Sequence, residues 1–275
     1  MDRLAQKPKG SKDGDSKPGP GPNTLVWPEL NKEPKIVIVS DWNERHNGIA
    51  FELAIREIFK TRLDWRIVAI RGAGAFSPAI LKDAVLLIAN RGPDADPLAL
   101  TGGEIIDKPK MGSLFWTDET AKSVIANVRD RGMGFIALHA TMQCGNPDIM
   151  GMLDFIPSMA AEGEPQPVWV RNTNRDHPVT RDVGKFHFVT DEQPVGVLRS
   201  SDSVVLFETT GIHSKRESVG GWCRTVGRGR VAAFLPGHSE EAYAAPEYRA
   251  IIWNAAHWAM NRDAAPYPGL KNTLY

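Results

Sequence analysis

Through the first half of the chain, short uninterrupted apolar runs alternate with segments whose apolar residues recur at helical spacing. Lys35-Ile-Val-Ile-Val-Ser40, Trp65-Arg-Ile-Val-Ala-Ile70, Ala84-Val-Leu-Leu-Ile-Ala89 and Gly134-Phe-Ile-Ala-Leu-His139 are the runs. Their lack of polar alternation predicts strands covered on both faces. Phe51, Ala54, Ile55, Ile58 and Phe59 share one face of a helix. A second helix is expected to open at the N-cap Thr117, with Asp118 and Glu119 at its positive end. Ala121, Val124, Ile125 and Val128 form its apolar stripe, and Gly132 suits a left-handed close. Strands that alternate with helices imply βαβ units and a parallel sheet.

The pattern shifts after residue 160. Pro167–Arg171, Lys185–Thr190, Ser203–Thr209, Gly221–Val226 and Arg230–Leu235 read as short strands between turn-rich stretches. A last helix is expected from Pro246, with Tyr248, Ile251, Ile252, Ala255 and Ala259 on one face. The fold class is therefore α/β: three layers, a mainly parallel flavodoxin-like sheet, and β-rich insertions in the C-terminal half. Residues 1–33 mix Lys, Gly, Pro, Ser and Asp and hold too few apolar residues to offset chain entropy. They are expected to be a disordered tail, with Leu25, Val26, Trp27 and Leu30 available to pack on the domain edge. Residues 34–262 form the domain and 263–275 a C-terminal extension.

Composition narrows the function classes. Lys+Arg and Asp+Glu are 33 each, a balance that argues against affinity built on neutralising phosphates, so nucleic acid is not the expected partner. No run approaches the roughly 18–20 apolar residues that span a bilayer. Two cysteines, Cys144 and Cys223, exclude a disulfide scaffold and fit free thiols in a reducing, cytoplasmic setting. An enzyme or a small-molecule binder remains.

In open parallel sheets, ligands bind beyond the carboxyl ends of the strands. Three histidines lie at such ends: His46 in Asp41-Trp-Asn-Glu-Arg-His46, His139 closing its run, and His238 after Leu235-Pro-Gly. Any one alone is more simply structural; three at one edge form a candidate site. Imidazole titrates near neutrality, donates, accepts, or ligates a metal. Glu192 and Glu44 are candidate carboxylates for a base, an orienting group or a further metal ligand. Asp191 and Glu241 read as solvated loop charges. Trp42, Trp116 and Trp222 lie near expected loops and are candidates for stacking on a sugar, although core packing is the commoner fate of Trp. Gly211–Glu217, with His213, reads as a flexible stretch suited to a lid. Gly72-Ala-Gly74 lacks the third glycine of a dinucleotide fingerprint.

Several segments together carry a resemblance. These are Val39-Ser-Asp-Trp-Asn-Glu-Arg-His46, Gly134-Phe-Ile-Ala-Leu-His-Ala140, Asp176-His-Pro-Val-Thr180, Asp191-Glu192, Gly227-Arg-Gly-Arg-Val231 leading to Pro236-Gly-His238, and Pro246–Ala259. In this order over about residues 35–261 they resemble the ThuA-like (trehalose utilisation) family, which has a class I glutamine-amidotransferase-like fold. Amidotransferases carry a nucleophilic Cys at the turn after the strand matching Gly134–Leu138. Here His139 stands there and Cys144 lies five residues on, so the chain is not expected to be a glutaminase.

Family members belong to disaccharide catabolism in which a separate dehydrogenase makes a 3-keto sugar. The resemblance therefore implies an oxidised (3-keto) disaccharide or related glycoside, attacked by proton abstraction beside the ketone. Isomerisation, lyase cleavage and hydrolysis all stay open. His139, His238 and Glu192 are the expected catalytic residues. His46, His139 and His238 are the candidate ligands of a divalent metal such as zinc, and Trp42, Glu44, His46 and Trp116 the candidate substrate contacts. A noncatalytic sugar-binding or accessory protein, and a zinc-stabilised scaffold, are the alternatives. A homo-oligomer is left open.

Overall fold

The computed structural model describes residues 24–26, 34–41, 47–71, 76–92, 115–158, 164–263 and 265–270. The first strands and helices follow the apolar pattern: β1 (Thr24–Val26), β2 (Lys35–Ser40), α1 (Gly48–Ile58), β3 (Arg66–Ile70), β4 (Ala84–Asn90), α2 (Asp118–Arg131) and β5 (Gly134–Leu138). Then come α3 (Pro147–Leu153), β6 (Phe155–Pro157), β7 (Gln166–Asn172), β8 (Phe186–Asp191), β9 (Gly196–Leu198), β10 (Val204–Gly211), β11 (Glu217–Val226) and β12 (Gly229–Phe234). Two helices close the chain, α4 (Glu240–Ala244) and α5 (Pro246–Ala259). The caps of α2 are those its sequence calls for. Thr117 accepts the Thr120 N–H, and Gly132 closes the helix at φ +81°.

One ten-stranded sheet runs β1-β3-β2-β4-β5-β12-β11-β10-β7-β8, and β6 pairs with β9 apart from it. Strands β3, β2, β4, β5 and β12 are parallel, whereas every pairing from β12 outward to β8 is antiparallel. One face of the sheet packs on α1, α4 and α5, where Ile36, Ile38, Phe51, Ile55, Tyr248 and Trp253 meet. The other face packs on α2 and α3 through Val37, Leu87, Val124, Phe135 and Leu153. These are the expected three layers.

Four inter-strand spacings of about 4.8 Å would leave β8 about 19 Å from β12 in a flat sheet. Yet Asp191, the last residue of β8, accepts the Gly237 N–H just beyond β12 at 2.8 Å. The antiparallel half therefore curls back over α5, and Phe188 of β8 meets Tyr248 edge-on at 5.2 Å. A double irregularity in β10 around Phe207 supplies the bend. Gly220 and Gly221 make room for that ring, because a Cβ on either would come within 3 Å of it.

Thr24–Val26, inside the segment expected to be a disordered tail, pairs antiparallel with β3. Trp27 and Leu30 lie outside the described residues. In the C-terminal extension, the Ala265 carbonyl accepts from Trp253 Nε1 at 2.9 Å. Among the described residues no helix is long and apolar enough to cross a membrane.

Candidate functional site

The carboxyl edge of the parallel strands brings the site together. β5 ends at Leu138, and His139 turns the chain sharply into a 3-10 turn, His139–Gln143, with φ at +27°. Its side chain is 3% exposed, and Nδ1 donates to the Leu235 carbonyl at 3.0 Å. A carbonyl only accepts, so the proton sits on Nδ1 and the Nε2 lone pair faces the site when the ring is neutral.

The chain leaving β12 carries His238 on a loop whose backbone is held at successive positions. Pro236 O accepts from Tyr248 Oη at 2.7 Å, and Gly237 O from Tyr243 Oη at 3.0 Å. Gly237 has φ +119°, and a Cβ there would stand 2.6 Å from Tyr243 Oη, so the position needs glycine. The N–H groups of Gly237, His238 and Ser239 all donate to the Asp191 carboxylate, at 2.8, 3.0 and 3.2 Å.

Glu192 follows Asp191 and completes the cluster. His238 Nδ1 lies 3.2 Å from His139 Nε2, and Glu192 Oε2 lies 3.3 Å from His238 Nδ1 and 3.5 Å from His139 Nε2. Glu192 and His238 are 22% and 19% exposed, which opens the cluster on one side. Burial by itself disfavours the His139 imidazolium. The Glu192 hydrogen bond, the Asp191 charge and the Leu235 carbonyl outweigh it, and its pKa stands above the ordinary value. Burial pushes the Asp191 carboxyl up to about 6 against the opposing pull of His139 and the three N–H groups.

The three ligand atoms also fit a divalent cation. Metal–ligand distances of about 2.0–2.1 Å place tetrahedral ligand atoms roughly 3.3–3.4 Å apart. The observed spacings bracket that edge. The bond from His139 Nδ1 to Leu235 O is the orienting contact a ligating imidazole usually has.

Two backbone donors of the kind that serve acyl transfer are already engaged at the same edge. At a nucleophile elbow, the N–H after the nucleophile and one from a neighbouring strand loop hold the oxyanion. Here Ala140 N–H donates to Asn90 Oδ1 at 3.0 Å, and Gly92 N–H to Asp41 Oδ2 at 2.9 Å. Asp41 is in turn paired with buried Arg91, Oδ1 to Nε 3.1 Å. Cys144 is buried, and burial raises its thiol to about 12.

Of the residues expected from sequence, His139, Glu192 and His238 meet. Trp42, Glu44 and His46 lie outside the described residues, as does Gly72-Ala-Gly74. Trp116 is 1% exposed, donates from Nε1 to Arg91 O and packs against Phe115, so it has no free face for a sugar. Trp222 is likewise buried, with Nε1 on Leu153 O. Asp191, read as a solvated loop charge, is 0% exposed, because the curl of the sheet lays it against the His238 loop. The stretch read as a lid is tied down: Gln166 Oε1 accepts from the N–H groups of His213 and Ser214, and Gln193 Nε2 donates to Arg216 O. His257 is buried on α5, His177 contacts Cys223 Sγ at 3.5 Å, and His187 lies on β8 against Trp169. Asn90, Tyr243 and Asp41 brace the site and were not singled out from sequence. A polar residue directly after a fully apolar strand was the available signal for Asn90 and Asp41.

Comparison with known proteins agrees with this architecture. The family model ThuA, described as trehalose utilisation, matches residues 35–259. No curated protein matches. Among solved structures, a ThuA-like protein from Parabacteroides merdae superposes with TM-score 0.66 at 13% identity, covering 85% of this chain and 92% of that one. Another from Bacteroides uniformis gives 0.61 at 16% identity, covering 86% and 95%. PurLQS from Thermotoga maritima gives 0.52 at 14% identity, covering 82% and 98%.

Proposed function

Since the chain belongs to the ThuA (trehalose utilisation) family and has a class I glutamine-amidotransferase-like fold, we propose that it acts on an oxidised, 3-keto disaccharide or related glycoside. Family membership supports a role in sugar metabolism. The reaction is proton abstraction beside the ketone. The observation that carries this reading is the meeting of two imidazoles and a carboxylate, from three separate segments, within 3.5 Å of one another at the open edge of the sheet.

A C3 ketone acidifies the C2 hydrogen. The Glu192 carboxylate takes that proton, the C2–H electrons form the C2–C3 double bond, and the former ketone oxygen takes up the charge. The N–H held between His139 Nε2 and His238 Nδ1 meets that charge, the role an electrostatic clamp serves in enolisation. Transfer of the C2 hydroxyl proton to the C3 oxygen, with return of the abstracted proton from Glu192 to C3, leaves the carbonyl at C2 and isomerises the sugar. Alternatively the C3 carbonyl re-forms, the C2–C3 electrons shift to make a C1–C2 double bond, the C1–O bond breaks, and the departing oxygen takes the proton held by Glu192. Bound between His139 Nε2, His238 Nδ1 and Glu192, a divalent cation such as zinc would supply Lewis-acid polarisation of the ketone oxygen, with Glu192 a ligand.

The test is solvent exchange. Incubated in heavy water with a 3-keto disaccharide, the protein should place deuterium on the carbon next to the ketone. His139→Ala and His238→Ala should lower that rate about 10²–10⁴-fold. Undiminished turnover in both variants refutes the assignment. Binding of the sugar without exchange in the wild type would make the chain a sugar-binding protein instead.

A further inference from the structure

The residues on either side of Glu192 are buried and anchored, and they help to hold it in place. Asp191 is 0% exposed and Gln193 4%. Gln193 Nε2 donates to Thr209 O and Arg216 O at 3.2 and 2.9 Å, which ties one side of Glu192 to the β10–β11 turn. Asp191 ties the other side to the His238 loop through three backbone N–H groups. Ser239 Oγ adds a bond to Thr190 O at 2.9 Å. One carboxylate thus sits between the two catalytic segments. It is bonded along the chain to Glu192 and hydrogen-bonded to the backbone of His238.

We infer that Asp191 is the positioning residue that sets His238 against Glu192, acting through the loop backbone and touching no reacting atom. The inference rests on the reading of His139, Glu192 and His238 as the reacting cluster. Its mechanical part, the spacing of two side chains, is measurable whatever that cluster does. A neutral Asn at this position keeps one acceptor and turns an amide NH₂ toward a donor N–H. The loop must then move, and His238 moves with it.

The experiment compares crystal structures of the wild type and Asp191→Asn, with kcat and KM for deuterium exchange into a 3-keto disaccharide. In the variant the spacing between His238 Nδ1 and Glu192 Oε2 should open by about 1 Å. A displacement of that size corresponds to a kcat loss of about 10²-fold. KM should stay within roughly threefold, because the displaced His238 meets charge that develops on the ketone oxygen only during the reaction, whereas general loosening of the fold would move both constants. Asp191→Glu carries the test if the Asn variant does not fold. It keeps the charge and adds one methylene, so a placing role predicts an opened spacing and a lost kcat there too. Unchanged spacing, or wild-type kcat in a folded variant of either kind, overturns the inference. A wild type that exchanges nothing, together with a spacing that opens in the variant, overturns the proposed reaction and leaves the placing role standing.

Discussion

Asp41→Asn tests how the carboxyl edge is braced. Asp41 and Arg91 are 1% and 2% exposed, with Oδ1 and Nε 3.1 Å apart. Arg91 also donates to Ser40 O at 3.2 Å and lies over the Phe115 ring. The second oxygen of Asp41 accepts the Gly92 N–H. Neutralising Asp41 keeps an acceptor for Gly92, a bond worth about 1 kcal/mol. It takes the carboxylate away from a guanidinium that remains desolvated. Breaking a buried pair from one side costs about 3–5 kcal/mol, against about 0–1 for an exposed pair. At about 2–4 °C per kcal/mol for a domain of this size, 4 kcal/mol is a melting-temperature loss of about 8–16 °C. Urea unfolding followed by Trp fluorescence, with calorimetry beside it, measures both. The double variant Asp41→Asn/Arg91→Met should recover most of the loss, because it removes the desolvated guanidinium while keeping an acceptor for the Gly92 N–H. A loss below about 1 kcal/mol for Asp41→Asn would show that water screens the pair and would refute the argument.

Other expectations follow from the same geometry. Asp191 titrates at about 6 when folded and at about 3.9 when unfolded. The folded chain therefore holds the proton longer, and stability should fall as pH rises from about 4 to 6, by on the order of 3 kcal/mol. Urea midpoints taken across that window should flatten in Asp191→Asn; parallel curves for the two proteins would count against the burial of this carboxyl. In Gly134→Ala the new Cβ would stand 2.8 Å from Ala259 O and 2.9 Å from Ala259 Cβ. Helix α5 must back away from β5, costing about 1–3 kcal/mol in thermal unfolding, and an unchanged melting temperature would mean the helix is not in contact. Burial raises the thiols of Cys144 and Cys223 to about 12. Iodoacetamide at pH 8 should leave both unmodified in the native protein and alkylate both in urea; native labelling at Cys144 would reopen a nucleophilic role.

The parts of the fold legible in the sequence are those whose cause is local. Ile36–Val39 and Leu86–Ala89 are buried on both faces, so an apolar run with no alternation was sufficient to name them. Thr117 and Gly132 carry their cap chemistry in their own side chain or lack of one. Helix α4, with five residues, and β6 and β9, with three each, are too short to show a period. Site residues divide the same way. His139 and His238 were visible as polar residues at strand exits, where topology alone places them. Asp191 looked like a solvated charge because its partners lie 46–48 residues away and depend on the curl of the antiparallel half. Trp116 failed in the opposite sense. Its nearness to an expected loop says nothing about a ring that Phe115 and Phe135 cover.

The turn at His139 bears on whether the proposed chemistry works through side chains. A non-glycine residue at φ +27° costs about 1–3 kcal/mol and persists only where its surroundings fix it. They do so on three sides: Leu235 O on the ring, Asn90 Oδ1 on the Ala140 N–H, and Ala89 O on Thr141 Oγ1. One of these bonds, from the Ala140 N–H to Asn90 Oδ1, also occupies a backbone donor of the turn. An oxyanion formed at this edge cannot be met by the Ala140 or Gly92 N–H without first displacing Asn90 or the Asp41 carboxylate. Among the described residues, the groups we propose to meet charge there are the side chains of His139 and His238. That arrangement favours a reaction whose charge arises by proton transfer and spreads over an enediolate, since its oxygen can lie against an imidazole. It disfavours a tetrahedral acyl intermediate, whose oxygen must point into the elbow.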